Sequence, residues 1–380
     1  MLKKTIVSAI LMAFLGTVVF AQNSLQVKYG PWVTGTDEDS FTVLWVTEDP
    51  GIAWVELEDG SRYYHEFAGR HIFERLHTVK VEGLKKGTDY AYKLGMCKLV
   101  DDSDARDPEF AGEQTSETYQ TGTFDFSADR CHFSVLNDMH LEVRKYRRLV
   151  EQIDMDDTDF LFLNGDIASA DNYCLDSLAH YDFDALKGYS QSLPVFFARG
   201  NHEGRGNNPK LILSVFPTET NQFYYTFRQG PVAFIVFDAG ETHKERSKAY
   251  TGTEVFEKYL NEQIEWAKTA VKDPEFADAP LKICLLHVPM VDIGDDRDYM
   301  LQRWLNHHIV PQLNEAGVNL MISGDLHDSQ FHGIGSMGND FPILVNDENC
   351  RVDVDCTAEG YILSVTNPFG ITRFAYSHLK

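Results

Sequence analysis

The chain is predicted to be an α/β protein with a smaller, separate all-β domain at its N-terminal end. From residue 131 onward, short apolar runs with the length and side-chain content of buried strands alternate with stretches of helical periodicity. Between residues 25 and 126, strand-like runs are separated by turn signals, with no helical stretch between them. The length of the chain is also typical of two domains.

The first 21 residues have the pattern of a secretory signal peptide. Lys3 and Lys4 precede an apolar stretch from Ile6 to Phe20, and Val19-Phe20-Ala21 offers a small-residue cleavage pattern. The alternative, a transmembrane anchor, needs about 20 apolar residues, which is more than this stretch contains. We therefore expect an exported protein, either periplasmic or extracellular, with no membrane anchor.

The composition is strongly acidic. There are 58 Asp and Glu residues against 34 Lys and Arg, which gives a formal net charge of -24. Such a charge argues against nucleic acid or an anionic membrane surface as the main partner. It leaves an anionic small-molecule substrate open, because bound metal ions can invert the local field.

The cysteines favour disulfide chemistry over a zinc site. No Cys-x-x-Cys pair occurs, so a zinc site built from thiolates is not expected. Export permits disulfides, and Cys350 and Cys356 are the best candidate pair because they are close in sequence within an acidic loop. Cys284 lies inside an apolar run and is expected to be a buried free thiol.

Residues 22–126 are predicted to form a small β-sandwich. Turn signals such as Asp49-Pro50-Gly51 separate its strand-like runs, which are Leu25–Val33, Phe41–Thr47, Ala53–Leu57, Leu76–Glu82 and Thr88–Leu94. The acidic stretch from Asp101 to Thr118 is interpreted as a long loop. Trp45 and the segment from Leu84 to Tyr90 resemble the core tryptophan and the tyrosine corner of a fibronectin type III domain.

Residues 127–380 contain five apolar runs that each end on residues able to bind metal ions. The runs span residues 131–140, 158–166, 193–203, 281–287 and 318–327. Because ligands collect at the carboxyl ends of strands in an open α/β sheet, we expect one shared site. Its candidate residues are Asp138, His140, Asp166, Asn201, His202, His287, Asp325 and His327. Helices are predicted at Glu142–Ile153, Thr253–Val271 and Met300–Ala316.

These endings read Asp-x-His (138–140), Gly-Asp (165–166), Gly-Asn-His-Glu (200–203), His (287) and Gly-Asp-x-His (324–327). In this order they resemble the calcineurin-like metallophosphoesterase superfamily, over a stretch from Cys131 to about His332. The resemblance implies a four-layer α/β/β/α sandwich. With a fibronectin-like domain in front, the layout is similar to that of the purple acid phosphatases. The implied activity is hydrolysis of small phosphate mono- or diesters by a hydroxide that bridges two metal ions.

Carried over position by position, the resemblance implies two cation sites that share one ligand. The first site would be formed by Asp138, His140, Asp166 and His327. The second would be formed by Asp166, Asn201, His287 and Asp325, so that Asp166 bridges both ions. His202 is implied to protonate the leaving oxygen or to stabilise the transition state, with Asp138 orienting it. The implied cofactors are two divalent or trivalent ions, Mn, Fe or Zn, with Mg possible at the second site.

Three positions depart from the family pattern. The family has His where Asp325 stands, and this change makes the second site richer in oxygen ligands, which suits Mn²⁺ or Mg²⁺. The alternative is that Asp325 points away and the second site is weak or empty. Purple acid phosphatases have Tyr where Ser169 stands, so no tyrosinate ligand is expected. They also lack the histidine that is present here as His140.

Alternatives stay open for the function and for the substrate contacts. A non-catalytic extracellular binding protein with a degenerate metal site is the alternative to an enzyme. Such a protein has no need of a bridging ligand, second-site ligands and an acid together. Arg199 joins Asn201 and His202 as a candidate substrate-binding residue, and its alternative role is a structural salt bridge. The sequence names neither the substrate nor the oligomeric state.

Overall fold

The computed structural model of the protein describes residues 24–168, 174–205, 208–241, 252–253, 255–290 and 300–379. The described part consists of an all-β region followed by an α/β region. The predicted signal peptide and Ser169 lie outside the described residues. Within the ranges given above, no helix is long and apolar enough to cross a membrane.

The all-β region has nine described strands. They are β1 (Val27–Thr34), β2 (Ser40–Leu57), β3 (Arg62–Tyr64), β4 (Glu66–Phe67), β5 (Arg70–His71), β6 (Phe73–Glu82), β7 (Asp89–Asp101), β8 (Glu109–Phe110) and β9 (Gln114–Gly122). In the larger sheet, β2 pairs with β1, β3, β6 and β7, and β7 also pairs with β8 and β9. Trp45 is fully buried, and the Lys85 backbone N–H donates to the Tyr90 hydroxyl at 2.8 Å. The core tryptophan and the tyrosine-corner contact are therefore both present.

Two predictions for this region were wrong. The Asp49-Pro50-Gly51 signal lies inside β2 rather than in a turn, at the point where the strand changes partner from β1 to β7. A proline is tolerated there because the ladder is already interrupted. The stretch predicted as a loop from Asp101 to Thr118 contains β8 and the start of β9. Only one residue of β9 is buried, and the other eight are exposed or half-buried, so the strand has a polar sequence.

The α/β region has twelve described strands and seven described helices. The strands are β10 (Arg130–Leu136), β11 (Phe160–Asn164), β12 (Val195–Ala198), β13 (Tyr225–Gln229), β14 (Val232–Val236), β15 (Leu281–Leu285), β16 (Leu320–Ser323), β17 (Gln330–His332), β18 (Ile343–Val345), β19 (Arg351–Thr357), β20 (Gly360–Thr366) and β21 (Thr372–Leu379). The helices are α1 (Val143–Val150), α2 (Leu175–Phe183), α3 (Asn201–Gly204), α4 (Lys210–Val215), α5 (Phe256–Ala270), α6 (Pro274–Ala277) and α7 (Met300–Ala316), with a 3-10 turn at Asp184–Leu186.

The strands form two six-stranded sheets that face each other. Their orders are β12-β11-β10-β19-β20-β21 and β13-β14-β15-β16-β18-β17. Phe133 of one sheet meets Phe234 of the other edge-on, with ring centroids 5.0 Å apart. Helix α1 packs on the outer face of the first sheet, and α5 and α7 pack on the outer face of the second. The predicted four-layer α/β/β/α sandwich is confirmed.

The all-β region packs against the α/β region through a defined contact. The Trp32 ring stacks on Phe183 at a centroid distance of 3.9 Å, and its Nε1 donates to the Val215 carbonyl at 2.9 Å. Arg75 forms an ion pair with Asp176 at 2.8 Å. Because Asp176 and Phe183 lie on α2, the β region is fixed against the helix that follows β11.

The predicted Cys350–Cys356 disulfide is wrong. All six cysteines are free; Cys350 directly precedes β19, and Cys356 lies near the end of that strand. A strand rises about 3.3 Å per residue, so their Cα atoms are roughly 20 Å apart, whereas a disulfide needs less than about 7 Å. The residue opposite Cys356 on the neighbouring strand is Cys131. The fully buried Cys284 is a free thiol, as predicted.

Candidate metal centre

The candidate ligands lie at the carboxyl ends of five strands from both sheets. Strands β10, β11 and β12 lead into Asp138, Asp166 and Asn201. Strands β15 and β16 lead into His287 and Asp325. Because these strands run parallel within each sheet, their carboxyl ends meet at one edge of the sandwich. The structure therefore brings the predicted residues together.

The backbone turns sharply at these strand ends. Positive φ angles occur at Asp138 (55°), His140 (45°), Asp166 (53°), Asp325 (67°) and His327 (54°). This left-handed conformation is uncommon outside glycine, and sparsely populated backbone conformations cost roughly 1–3 kcal/mol each. Strain of this kind collects at functional sites, where the surrounding fold holds side chains in a required direction.

Gly165 and Gly200 allow the strand ends to approach each other closely. A Cβ on Gly165 would lie 2.6 Å from His287 Cγ and 2.7 Å from the Gly200 nitrogen. A Cβ on Gly200 would overlap the Asp166 carboxylate. Any side chain at either position would therefore separate Asp166 from His287.

Three side chains form the first ligand group. The Nε2 atoms of His140 and His327 lie 3.0 Å apart. Asp138 Oδ1 lies 3.2 Å from His327 Nε2 and 3.4 Å from His140 Nε2. Metal–imidazole bonds of about 2.0–2.1 Å place two adjacent nitrogen ligands roughly 3 Å apart. The three atoms therefore fit a single cation bound between them.

Asp166, Asn201, His287 and Asp325 form the second ligand group. Asp166 Oδ2 lies 3.3 Å from His287 Nε2, which is 3.8 Å from Asp325 Oδ1. One end of the Asn201 amide lies 3.2 Å from Asp166 Oδ2 and 3.2 Å from Asp325 Oδ1. Asp325 thus points into this group rather than away from it.

The orientation of the Asn201 amide depends on what lies among these atoms. If the amide nitrogen faces Asp166 and Asp325, it donates to both carboxylates. If the amide oxygen faces them, three oxygens lie together and repel one another unless a cation separates them. In that second orientation, Asn201 Nδ2 donates to Glu241 Oε1 at 3.3 Å. The donor set of three oxygens and one imidazole then fits a cation such as Mn²⁺.

Asp166 lies between the two ligand groups. Its Oδ2 atom, 3.3 Å from His287 Nε2, is also 4.0 Å from His140 Nε2 in the first group. Its Oδ1 atom accepts a hydrogen bond of 2.9 Å from the His202 backbone N–H. This position is the one that a carboxylate shared by two cations requires.

Hydrogen bonds from surrounding groups orient these ligands. His287 Nδ1 donates to the Asn164 carbonyl at 2.7 Å, which leaves Nε2 directed at the carboxylates. Asp138 Oδ2 accepts from Asn137 Nδ2 at 2.7 Å and from the Asp325 N–H at 3.0 Å. The second oxygen of Asp138 therefore remains directed at the histidines of the first group.

Glu203 supports the backbone around Asp166. Its buried carboxylate accepts from the N–H groups of Asp166 (3.0 Å), Gly200 (2.9 Å) and Ala168 (3.2 Å). Burial raises the pKa of Glu203 to about 7, and the nearby Asp166 charge adds to the effect. The sequence contained a signal for this role, since a Glu three residues after the residue that starts a helix is a capping pattern.

The charges of the ligands perturb one another strongly. Burial acts to raise the pKa of Asp138, but His287, His140 and His327 outweigh it and lower the pKa. Burial acts to lower the pKa of His287, but Asp166 and Asp138 raise it well above the usual range. The pKa of Asp325 is raised to about 6 by burial, with His287 opposing and Asp166 adding to it. Strongly perturbed pKa values of this kind cluster at functional sites.

His202 lies at the edge of the centre, next to Arg205. Its Nε2 atom is 3.8 Å from Asp166 Oδ2 and accepts from Arg205 Nη1 at 3.1 Å. Its ring lies edge-on to His140, with centroids 5.0 Å apart. Burial lowers the pKa of His202, although Asp166 opposes the effect. Arg205 was not predicted from the sequence, because no motif distinguishes an arginine at the end of the short helix that contains Glu203.

Arg199 takes part in a buried ion pair. Its Nη2 atom lies 2.7 Å from Asp238 Oδ2, and its guanidinium lies 4.6 Å from the Phe223 ring centroid. The Tyr259 hydroxyl donates to the same Asp238 oxygen at 2.9 Å. This geometry matches the salt-bridge alternative rather than phosphate binding.

A cleft of about 680 Å³ lies elsewhere, between the two regions of the chain. Thr36, Lys80, Phe216 and Glu275 are among its lining residues, and none of the candidate ligands lines it. The candidate centre is therefore identified by converging donor atoms and not by the size of a cavity.

Comparison with known proteins agrees with this geometry. The sequence model of the calcineurin-like phosphoesterase family matches residues 132–329, which is more than half of the chain. The chain belongs to the calcineurin-like phosphoesterase family.

Two individual relatives illustrate the match. The serine/threonine-protein phosphatase CPPED1 of Danio rerio is 26% identical over 150 residues, which are 38% of this chain and 45% of that protein. The match thus spans less than half of that relative. The solved purple acid phosphatase PPD1 of yellow lupin (Lupinus luteus) has a TM-score of 0.66 at 14% identity. The aligned region covers 91% of this chain and 73% of the lupin protein's chain, which shows that the two share a fold.

Proposed function

We propose that this calcineurin-like phosphoesterase is an exported enzyme that binds two cations and hydrolyses small phosphate mono- or diesters. The observation that carries the proposal is the position of Asp166 between two groups of ligand atoms. One group contains His140 and His327, and the other contains His287, which faces Asp325 at 3.8 Å. Asp166 Oδ2 lies 3.3 Å from His287 Nε2 of the second group and 4.0 Å from His140 Nε2 of the first, a position that fits a shared carboxylate.

The ligands of each cation follow from the geometry. Asp138, His140 and His327 would hold the first, and Asn201, His287 and Asp325 would hold the second, with Asp166 bridging them. When bound, the two cations would withdraw charge from the phosphoryl oxygens and acidify a water placed between them. The donor set does not select among Mn, Fe and Zn, although the oxygen-rich second group suits Mn²⁺ or Mg²⁺.

His202 is the chain's own candidate for the acid. Its Nε2 atom faces Asp166 at 3.8 Å, on the rim of the centre, and its side chain remains partly exposed to an incoming substrate. We propose that His202, after Nε2 exchanges its contact with Arg205 for a proton, protonates the leaving oxygen or stabilises negative charge there. Arg205, at 3.1 Å, adds positive charge on the same side. Asp138 contacts the ligand histidines rather than His202, so its proposed contribution is to orient the first group.

The charge of the centre bears on the type of ester. Asp138, Asp166 and Asp325 offset three of the four positive charges that two divalent cations carry. A histidine at position 325 would leave one more positive charge. Since electrostatic attraction scales with charge, Asp325 reduces the advantage of a doubly charged monoester over a singly charged diester. We therefore propose that diesters are accepted alongside monoesters.

Hydrolysis assays on metal-depleted protein test this function. Addition of Mn²⁺ should restore hydrolysis of p-nitrophenyl phosphate and bis(p-nitrophenyl) phosphate, while Asp166→Ala protein under the same conditions should stay inactive. Absence of Mn²⁺-dependent hydrolysis of both esters by protein that binds two cations would contradict the proposal and favour a binding protein.

Export is tested separately by cell fractionation. The full chain and a form lacking residues 2–21 should be expressed in a bacterial host and followed by immunoblotting. The full chain should be recovered outside the cytoplasm in a processed form, and the shortened form should stay inside. Retention of the full chain in the cytoplasm at full mass would contradict export.

A further inference from the structure

Glu241 contacts both the Asn201 amide and the arginine beside His202. Its carboxylate pairs with Arg205 through two hydrogen bonds of 2.8 Å, from Nε to Oε2 and from Nη2 to Oε1. The same Oε1 atom lies 3.3 Å from Asn201 Nδ2. Glu241 is fully buried, and Arg205 is 15% exposed. A bidentate pair of this kind holds a carboxylate in a fixed direction.

The amide of Asn201 has two ends that differ in what they can bind. Only its oxygen can bind a cation, whereas its nitrogen can donate to Asp166 and Asp325, each 3.2 Å away. A 180° flip of the amide thus replaces a cation ligand by a hydrogen-bond donor. In that orientation Asn201 bridges the two carboxylates without a cation. Some other group must favour one orientation over the other.

The two neighbours at the far end of the amide favour opposite orientations. Glu241 Oε1 accepts from the nitrogen and so directs the oxygen toward Asp166 and Asp325. Arg205 Nη2 would donate to the oxygen at 2.9 Å if the amide were reversed. Glu241 engages Arg205 through both of its oxygens, so the Glu241 acceptor atom stays beside Asn201 and favours the orientation that Arg205 opposes.

We infer that Glu241 is a positioning residue that selects the cation-binding orientation of Asn201 and thereby sets the affinity of the second cation. The inference rests on the proposed two-cation function. Glu241 contributes no ligand atom itself and acts through the Asn201 amide. Partners of this kind beyond the direct ligands alter metal affinity by about 10–100-fold when they are changed.

Cation titrations of four proteins test this role. Metal-depleted wild type, Glu241→Gln, Asn201→Asp/Glu241→Gln and Asp353→Asn should be titrated with Mn²⁺ by calorimetry. Glu241→Gln should weaken the affinity for the second cation by about 10–100-fold and change the affinity for the first by less than about threefold. Asp353 also pairs with an arginine through two hydrogen bonds, at 2.7 and 2.8 Å, but lies on β19. Asp353→Asn should keep both affinities.

The double variant separates positioning from general support of the fold. A carboxylate has an oxygen at each end, so an aspartate at position 201 binds a cation in either orientation. It also restores the negative charge that Glu241→Gln removes. Asn201→Asp/Glu241→Gln should therefore bind the second cation to within about threefold of the wild-type affinity.

Three outcomes would overturn the inference. The first is a Glu241→Gln protein whose second cation binds as tightly as in wild type. The second is a double variant that binds as weakly as Glu241→Gln, and the third is an Asp353→Asn protein with the same loss. Thermal unfolding without cations checks folding. If Glu241→Gln does not fold, Glu241→Asp is used instead. Its side chain is shorter and no longer contacts Asn201, so the affinity for the second cation should fall in this variant too.

Failure of the underlying function gives a different result. Wild type that binds fewer than two Mn²⁺ ions would remove the two-cation proposal and this inference with it. Wild type that binds two ions, with Glu241→Gln unchanged, would remove the inference alone.

Discussion

The Nε2 atoms of His140 and His327 face each other at 3.0 Å, and Asp138 Oδ1 lies within 3.4 Å of both. Two imidazole lone pairs at this distance repel each other unless a proton or a cation lies between them. The hydrogen bond to Asp138 raises the pKa of His327, which shows how strongly this carboxylate favours positive charge here. A metal ion would satisfy all three atoms at once.

His140→Ala should remove one cation and leave the other. His140 belongs to the first group, because its Nε2 lies 3.0 Å from His327 Nε2 and 3.4 Å from Asp138 Oδ1 but 4.0 Å from Asp166 Oδ2. Replacing it should weaken the affinity for one of the two Mn²⁺ ions by about 10-fold or more. Loss of a direct ligand lowers metal affinity at least as much as loss of a partner that only orients a ligand. Calorimetry resolves the two equivalents, and equal loss of both would contradict the assignment of His140.

His202→Ala should lower the rate and leave the metal content intact. The His202 side chain lies beside Asp166 and Arg205 but is not needed to complete either ligand group. Loss of a general acid typically costs about 10²–10⁴-fold in rate. Turnover of p-nitrophenyl phosphate and metal content by mass spectrometry should be measured on the same preparation. If one equivalent of metal is lost, His202 is a ligand instead.

Asp325→His should change metal preference and ester preference together. The substitution replaces a hard, charged oxygen by a neutral nitrogen at a position that faces His287 and Asn201. The second cation site should then bind Zn²⁺ more tightly relative to Mn²⁺. The rate of hydrolysis of a phosphomonoester should rise relative to that of a diester. Titrations with both metals and rates on both nitrophenyl esters test this. A variant unchanged in both respects would show that Asp325 is not a ligand.

Acid should destabilise the all-β region through His77. His77 is fully buried against Thr47 and Trp45, and burial lowers its pKa to about 3. The unfolded chain binds this proton near its ordinary pKa of about 6.5, so between those values the unfolded state holds more protons. Stability is therefore lost as pH falls through that window, by an amount on the order of a few kcal/mol.

The variant His77→Gln isolates this contribution. Glutamine can keep a hydrogen bond to the Thr47 hydroxyl but does not titrate. Urea unfolding at pH 7 and pH 4.5, followed by tryptophan fluorescence, should show a smaller loss of stability on acidification for His77→Gln than for wild type. Equal losses in the two proteins would assign the acid sensitivity to other groups.

Much of the site could be predicted because its residues follow strands directly in sequence. A buried apolar run that ends on Asp or His reports both the strand and the position of the side chain at its carboxyl end. The positions of Asp138, Asp166 and His287 at strand ends could be predicted from the sequence alone. The direction of Asp325 needed the structure, because the left-handed backbone at this residue cannot be read from the residue type.

The remaining residues act through contacts that connect distant parts of the chain. Glu241 follows β14 by five residues, yet it meets Asn201 and Arg205 of the segment after β12. Neither its spacing nor its type differs from that of an ordinary loop glutamate. The Cys350–Cys356 error has a similar origin, because closeness in sequence means distance in space when a strand lies between.

The number of cations held by wild type and by Asp166→Ala is the most direct test of a shared-ligand centre. Both proteins should be depleted of metal, saturated with Mn²⁺, freed of excess ion and measured by mass spectrometry against protein concentration. We expect two equivalents in wild type and the loss of both in Asp166→Ala, because each group loses the carboxylate that they share. Retention of two equivalents by Asp166→Ala, or a single equivalent in wild type, would contradict the account.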